Sequence, residues 1–298
     1  MRLSNMQLTM FGLPPTEHVV NVASVPHRSP FRYPGGKTWL VPRIRQWLKS
    51  FERPPSLLIE PFAGGAIVGL TAAFEELVEH VILVELDAQI AAVWKTLLSS
   101  DAAWLADRIL SFKLTIENVR SQLSKENGEI REQAFSAILK NRTYHGGILA
   151  PGSALIKTGE NGKGIRSRWY PETLAKRIRD ISKIRDRFTF IHGDGIDIIQ
   201  SHRHKKQAVF FIDPPYTAGE VGKRAGSRLY VHHHLDHKKL FTVASRVSGD
   251  VLLTYDDDPS VRSLAREHSF KVVPIAMKNT HHARMTELLI GTNLEWIR

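Results

Sequence analysis

Residues 209–216, VFFIDPPY, hold the densest chemistry in the chain. The apolar run reads as a buried strand that delivers Asp213 to the end of a sheet. Pro214 and Pro215 fix φ and remove two N–H donors, so the carbonyls of Asp213 and Pro214 act as acceptors in a stiff turn, and Tyr216 adds an aromatic face. Two acceptors and a stacking surface suit an exocyclic amino group on a planar base. Taken alone, the same residues also read as a strand ending in a solvated acid.

Residues 57–70, LLIEPFAGGAIVGL, read as a strand, a turn carrying Gly64 and Gly65, and a helix rich in small residues. Such glycines let a nucleoside ligand approach the backbone beside a helix N-terminus. Glu85 follows Gly64 by 21 residues and ends the run VILVE, an offset that suits an acceptor for ribose hydroxyls. A third stretch, FRYPGGKTWL (31–40), has the Gly-Lys-Thr of a triphosphate loop, but Phe31 stands where that loop needs its first glycine, and no apolar strand precedes it. A triphosphate site is therefore not expected there.

Short apolar runs that end in an acid or a turn residue must position these groups: LLIE, VILVE, FTFIHGD, VFFID and VLLTYDD. Helical patterns lie between several of them, including AIVGLTAAFEELV and HKKLFTVASRV. The alternation predicts βαβ units and a mainly parallel sheet, which gathers ligands at the carboxyl ends of its strands. Residues 101–187 break this rhythm with a long polar helical stretch, a Gly-rich basic stretch and a helix opened by Pro171. They read as an inserted, substrate-facing subdomain. Residues 1–29 read as an irregular leader, and Trp39, Trp47, Trp94 and Trp104 as core.

Forty-one Lys and Arg against 30 Asp and Glu give a net charge of +11 over 298 residues, suited to a polyanionic partner. The absence of cysteine excludes disulfides, thiolate metal sites and a cysteine nucleophile. No apolar run is long enough for a membrane span, and the first residues lack the apolar core of a signal peptide, so a soluble cytoplasmic protein is expected. The spacing of His232, His233, His234 and His237 matches no zinc signature, and no metal is expected.

Taken in order, FRYPGGK, EPFAGG, the acid of VILVELD, HGD and DPPY resemble the D12-class adenine-specific DNA methyltransferases. LKNRTYHGGI and TYDDDPSVRSL extend the resemblance from about residue 31 to the C-terminus. It implies an α/β fold with a Rossmann-like sheet that binds S-adenosylmethionine. Residues 30–100 and 188–298 would form the catalytic part, and 101–187 a largely helical target-recognition insertion. It places Tyr33, Gly35, Gly36, Lys37, Glu60, Phe62, Gly64, Glu85 and Asp194 at the cofactor, with Lys37 near its carboxylate and Asp194 at the adenine amine. Asp213, Pro214, Pro215 and Tyr216 become the catalytic tetrapeptide, Asp213 also facing the cofactor. The activity implied is methylation of adenine N6 in double-stranded DNA, with the base flipped out. Methylation of cytosine N4 or of RNA, and DNA binding without catalysis, remain alternatives; an aspartate at position 213 favours adenine. A bacterial or phage enzyme, monomeric, with or without a companion restriction endonuclease, is compatible with the family.

Between Lys157 and Arg187 ten basic residues face four acidic ones. In PETLAKRIRDISKIRDRF an apolar stripe of Leu174, Ile178, Ile181 and Ile184 leaves most basic side chains outward. The expected DNA contacts are Asn141, Arg142, Tyr144, His145, Lys163, Arg166, Arg168, Lys176, Arg177 and Arg179.

Overall fold

A computed structural model describes residues 25–32, 36–125, 128–149, 152–215, 235–278 and 284–297. Five parallel strands come from the five apolar runs: β1 (Leu57–Glu60), β2 (His80–Glu85), β3 (Phe188–His192), β4 (Ala208–Ile212) and β5 (Asp250–Asp256). A terminal hairpin, β6 (Lys271–Lys278) and β7 (Arg284–Gly291), adds two antiparallel strands, with β7 beside β5. The order is β3-β2-β1-β4-β5-β7-β6. The chain winds outward from β1 in one direction and returns to β4 on its other side. The switch point therefore falls between β1 and β4, where a crevice opens at the strand ends.

Strand periodicity divides the core between two faces. Leu58, Val81, Leu83, Val209, Phe211 and Leu252 point to one face, covered by α1 (Val41–Lys49), α2 (Ile67–Phe74) and α3 (Ala88–Leu97). Ile59, Ile82, Val84, Phe210, Ile212 and Leu253 point to the other, covered by α8 (Gly195–His202), α9 (His237–Ala244) and α10 (Pro259–Glu267). Acids near the strand ends also start helices. Asp87, Asp194 and Asp258 accept from the second helical amides of α3, α8 and α10, at 2.7, 2.7 and 2.8 Å.

Between β2 with its following helix and β3, residues 101–187 carry four α-helices: α4 (Ala102–Ser111), α5 (Ile116–Leu123), α6 (Ile130–Thr143) and α7 (Pro171–Lys183). Leu174, Ile178 and Ile181 of α7 are buried as the stripe predicts. The insertion has no core of its own. Its buried side chains join those of α1–α3 in one cluster, in which Trp47 and Trp94 are fully buried.

Residues 25–32 form no regular element, yet side chains of the insertion hold them. Asn141 Oδ1 accepts from Arg32 N at 2.9 Å, and Asn141 Nδ2 donates to Arg32 O at 3.0 Å and Gly147 O at 2.7 Å. Arg142 donates to Pro30 O, Arg177 donates to Ser29 O at 3.0 Å, and Phe31 packs against Trp94.

Close approach at one glycine packs the start of α8 against the turn after β1. A Cβ on Gly195, at the start of α8, would lie 2.3 Å from Pro61 O in the β1 turn. Backbone on both sides leaves no flexible group to yield. Gly195→Ala is expected to cost about 1–3 kcal/mol of stability, the range for forced overpacking, read as a lower urea midpoint at unchanged slope.

Candidate active site

Four side chains from distant parts of the sequence meet on the α1–α3 face, at the carboxyl ends of β4 and β5. Asp213 leaves the end of β4 with its carboxylate 23% exposed. Its Oδ1 accepts from Thr254 Oγ1 of β5 at 2.7 Å and lies 3.2 Å from Lys37 Nζ. Lys37 opens the 3-10 helix Lys37–Leu40 that leads into α1, and its side chain is 2% exposed. On its other side stands Glu287 of β7, with Oε2 at 3.1 Å and Oε1 at 3.4 Å from Nζ; only the Oε1 contact has hydrogen-bond geometry. Burial disfavours the ammonium, but the carboxylates of Asp213 and Glu287 more than offset it and hold the Lys37 pKa above the ordinary lysine value. Breaking one half of such a buried pair leaves an uncompensated charge, which fixes Asp213 and Lys37 to each other.

Glu60, at the end of β1, is 3% exposed, and its Oε2 accepts from Gly69 N at 2.8 Å. Gly69 is in the first turn of α2, whose preceding residue, Ala66, is left-handed and offers no side-chain cap. Glu60 thus caps α2 from a neighbouring strand. The absent side chain of Gly69 makes room: a Cβ would lie 2.7 Å from Glu60 Oε2 and 2.9 Å from Leu83 Cδ2. Burial pushes the Glu60 carboxyl up to about 8, the Gly69 amide pulling down and the Asp213 charge adding to the rise. It is mostly neutral at pH 7.

Glu85 ends β2 half-buried. Its Oε2 accepts from Gly64 N, and its Oε1 from Leu86 N and Asp87 N, each at 2.9 Å. Gly64 O accepts from Trp94 Nε1 at 2.9 Å, so the glycine turn is pinned from both sides. Burial raises the Glu85 carboxyl to about 7 against the pull of these amides. Asp194 caps α8 and stays exposed at the adjacent strand end, and Phe62 is partly buried against the opposite core cluster. Gly36 is exposed at the start of the 3-10 helix, Pro214 is buried and Pro215 half-buried. Tyr33, Gly35, Tyr216 and His232–His234 lie outside the described residues. His237 is within them and meets the Tyr255 hydroxyl at 2.9 Å; no metal-holding cluster occurs among the described residues.

Three expected DNA contacts are corrected by burial and bonding. Asn141 and Arg142 are 1% and 4% exposed, and half-buried Arg177 points to Ser29 O, so these residues hold the 25–32 segment rather than face a duplex. Burial, then the nearby Arg177, Arg32 and Arg168 guanidinium groups, lower the Arg142 pKa, yet a guanidinium stays charged. The other seven are not enclosed. His145, Lys163, Arg166, Lys176 and Arg179 are exposed, and Tyr144 and Arg168 partly so. Lys176 pairs with Asp180 at 2.5 Å and Arg179 with Asp107 at 2.6 Å. Surface pairs of this kind contribute about 0.2–1 kcal/mol and give way readily to a phosphate.

Residues 33–280 match the family model of the D12 class N6 adenine-specific DNA methyltransferases. The chain belongs to that family. A DNA N-6-adenine-methyltransferase of Escherichia phage P1 is 26% identical over 270 residues, 87% of this chain; the chain spans about a third (34%) of that relative's length. Solved structures with similar backbones include an rRNA methyltransferase from Streptomyces viridochromogenes, with TM-score 0.36 and 14% identity over 85% of this chain and 82% of the other. A precorrin-6y C5,15-methyltransferase from Geobacter metallireducens has TM-score 0.34 and 10% identity over 85% of this chain and 86% of the other.

Sequence reasoning missed Thr254 and Glu287 as members of the site. Thr254 stands inside a motif of the resemblance, and Glu287 is an acid within the apolar run of β7; those were the available signals. The Glu60 cap yields a pH test. A carboxyl raised in the folded state costs stability as pH climbs from its unfolded value near 4.5 through about 8. Glu60→Gln, which keeps an acceptor for Gly69 N, should therefore gain on the parent protein between pH 5 and pH 9 in urea unfolding. Glu60→Ala should lose about 1–3 kcal/mol at pH 5, where the orphaned amide is the main cost.

Proposed function

We propose that this chain transfers a methyl group from S-adenosylmethionine to N6 of adenine in double-stranded DNA. The observation that carries the reading is Asp213, fixed at the switch-point crevice by Thr254 and buried Lys37 and followed at once by two prolines. The residues fit the donor. Glu85 and Asp194 offer carboxylates at the ends of adjacent strands, for ribose hydroxyls and an adenine amine, and Gly64 puts no side chain between backbone and ligand. When bound, S-adenosylmethionine supplies an electrophilic methyl group on a positively charged sulfur.

The chain's own part is orientation. N6 cannot meet a methyl donor inside the base stack, so the target adenine leaves the duplex. The Asp213 carboxylate and the Pro214 carbonyl accept its two amine hydrogens and turn the nitrogen lone pair toward the methyl group, and Tyr216 stacks on the ring. The Thr254 and Lys37 contacts preset the carboxylate, so little reorganisation accompanies reaction. Lys37, engaged by two carboxylates, acts on the cofactor side through Asp213 as much as through any direct contact. His145, Lys163, Arg166, Arg168, Lys176 and Arg179 of the insertion engage the phosphate backbone, with Tyr144 beside them. The enzyme works on DNA in the cytoplasm.

Two measurements test this. Asp213→Ala should lower methyl transfer at least 100-fold at saturating labelled cofactor while the far-UV spectrum holds. Digestion of the product DNA should give N6-methyl-2′-deoxyadenosine; N4-methyl-2′-deoxycytidine, or binding without transfer, would overturn the assignment. Replacing Lys163, Arg166, Lys176 and Arg179 together by Ala should weaken DNA binding and flatten its salt dependence, by roughly one unit of slope for each phosphate left without its cation.

A further inference from the structure

Glu287 has no part in the reading above, although it is 5% exposed and touches the lysine that touches Asp213. Its Oε2 is buried and makes no hydrogen bond among the described residues; its neighbour there is the Lys37 charge at 3.1 Å. Lys37 Nζ thus bridges the partly exposed Asp213, whose Oδ1 is 3.2 Å away, and the buried Glu287, whose Oε2 and hydrogen-bonded Oε1 lie at 3.1 and 3.4 Å. Among the described residues, the charged groups that act on Glu287 are Lys37, Asp213 and Asp256. Lys37 approaches from the 3-10 helix, Asp213 from the end of β4, and Asp256 is its register partner on β5. On β6 the register partner is Ile275, which brings no charge. Glu60 and Tyr255 both feel the field of Asp213.

We infer that Glu287 is the terminal acceptor of the proton released when the exocyclic amine is methylated, reached from Asp213 through Lys37. The inference rests on the proposed methyl transfer. As the N–C bond forms and the S–C bond breaks, the S–C electron pair stays on sulfur and the amine nitrogen becomes cationic. It returns to neutrality by giving one hydrogen, as a proton, to Asp213. Lys37 passes one of its protons to Glu287 Oε1, along the hydrogen bond it already makes there, and takes the one held by Asp213. Asp213 and Lys37 end as they began, and Glu287 carries the proton until it exchanges with solvent. Glu287 suits that end of the relay: burial, with Asp213 and Asp256 adding and Lys37 opposing, raises its carboxyl to about 7. In this role it is a positioning and proton-holding residue, without contact to the base.

Single-turnover methyl transfer by the full chain, from pH 5.5 to 9, tests the relay with Glu287→Gln and Glu287→Asp. In the parent protein the rate should rise as Glu287 ionises, with a midpoint near 7. Gln, which still accepts from Lys37 but cannot take a proton, should cut the rate roughly 10- to 100-fold and erase that rise, with cofactor affinity changed less than about threefold. Asp should recover part of both. In the cofactor-free protein the carbon-13 shift of the Glu287 carboxyl, assigned by its loss in Glu287→Gln, should titrate near 7 and move upward in Lys37→Met. An unchanged rate and pH profile in Glu287→Gln would overturn the relay alone. So would a fall in rate that only tracks lost affinity or folding, or a carboxyl titrating at its ordinary value. Absence of any adenine methylation by the parent protein would remove the functional reading and the relay together.

Discussion

One buried ammonium organises the carboxyl edge of this sheet. Lys37 carries its charge into a place water hardly reaches, which is tolerable because Asp213 and Glu287 meet it there. Those partners come from the end of β4 and the middle of the terminal hairpin, so the pairing ties the N-terminal segment to both. Thr254 adds a fourth element by fixing the same oxygen of Asp213. A geometry spread over so many elements is hard to distort locally, which is what a site that works by orientation requires.

Acid is unusually concentrated in this region, and the protein handles each carboxyl differently. Glu85 is held by three backbone amides, Asp213 by a hydroxyl and an ammonium, and Glu60 by one amide in a fully enclosed place. The result is a graded set, in which the most enclosed acids keep their protons toward neutral pH. That grading limits mutual repulsion beside Asp213 and leaves it the group with the clearest ionic partners.

Much of the fold was legible because burial in a parallel sheet writes itself into short apolar runs: LLIE, VILVE, FTFIH, VFFI and VLLTYD all became strands. The acids beyond them were legible as positions, since a parallel sheet places every such residue on one edge. Their partners were not. Lys37 and Glu287 stand 250 residues apart, and no local pattern says that a lysine after two glycines meets an acid in the last strand. The same limit explains Asn141, Arg142 and Arg177. A polar pair next to a Gly-rich loop and an arginine on a basic helix look solvent-facing, and only tertiary packing turns them toward the carbonyls of residues 29–32.

That inward turn bears on modularity. A run of helices set between two strands of a sheet invites treatment as a cassette, to be cut at its borders and exchanged for another. Here the cassette also clasps the strand of chain that leads, within five residues of Arg32, to Lys37. A transplanted insertion without equivalents of Asn141, Arg142 and Arg177 would leave that strand unmoored and its carbonyls unanswered. The helices of residues 101–187 and the Lys37 cluster share a hinge pin, and a designer who changes one inherits the fastening of the other.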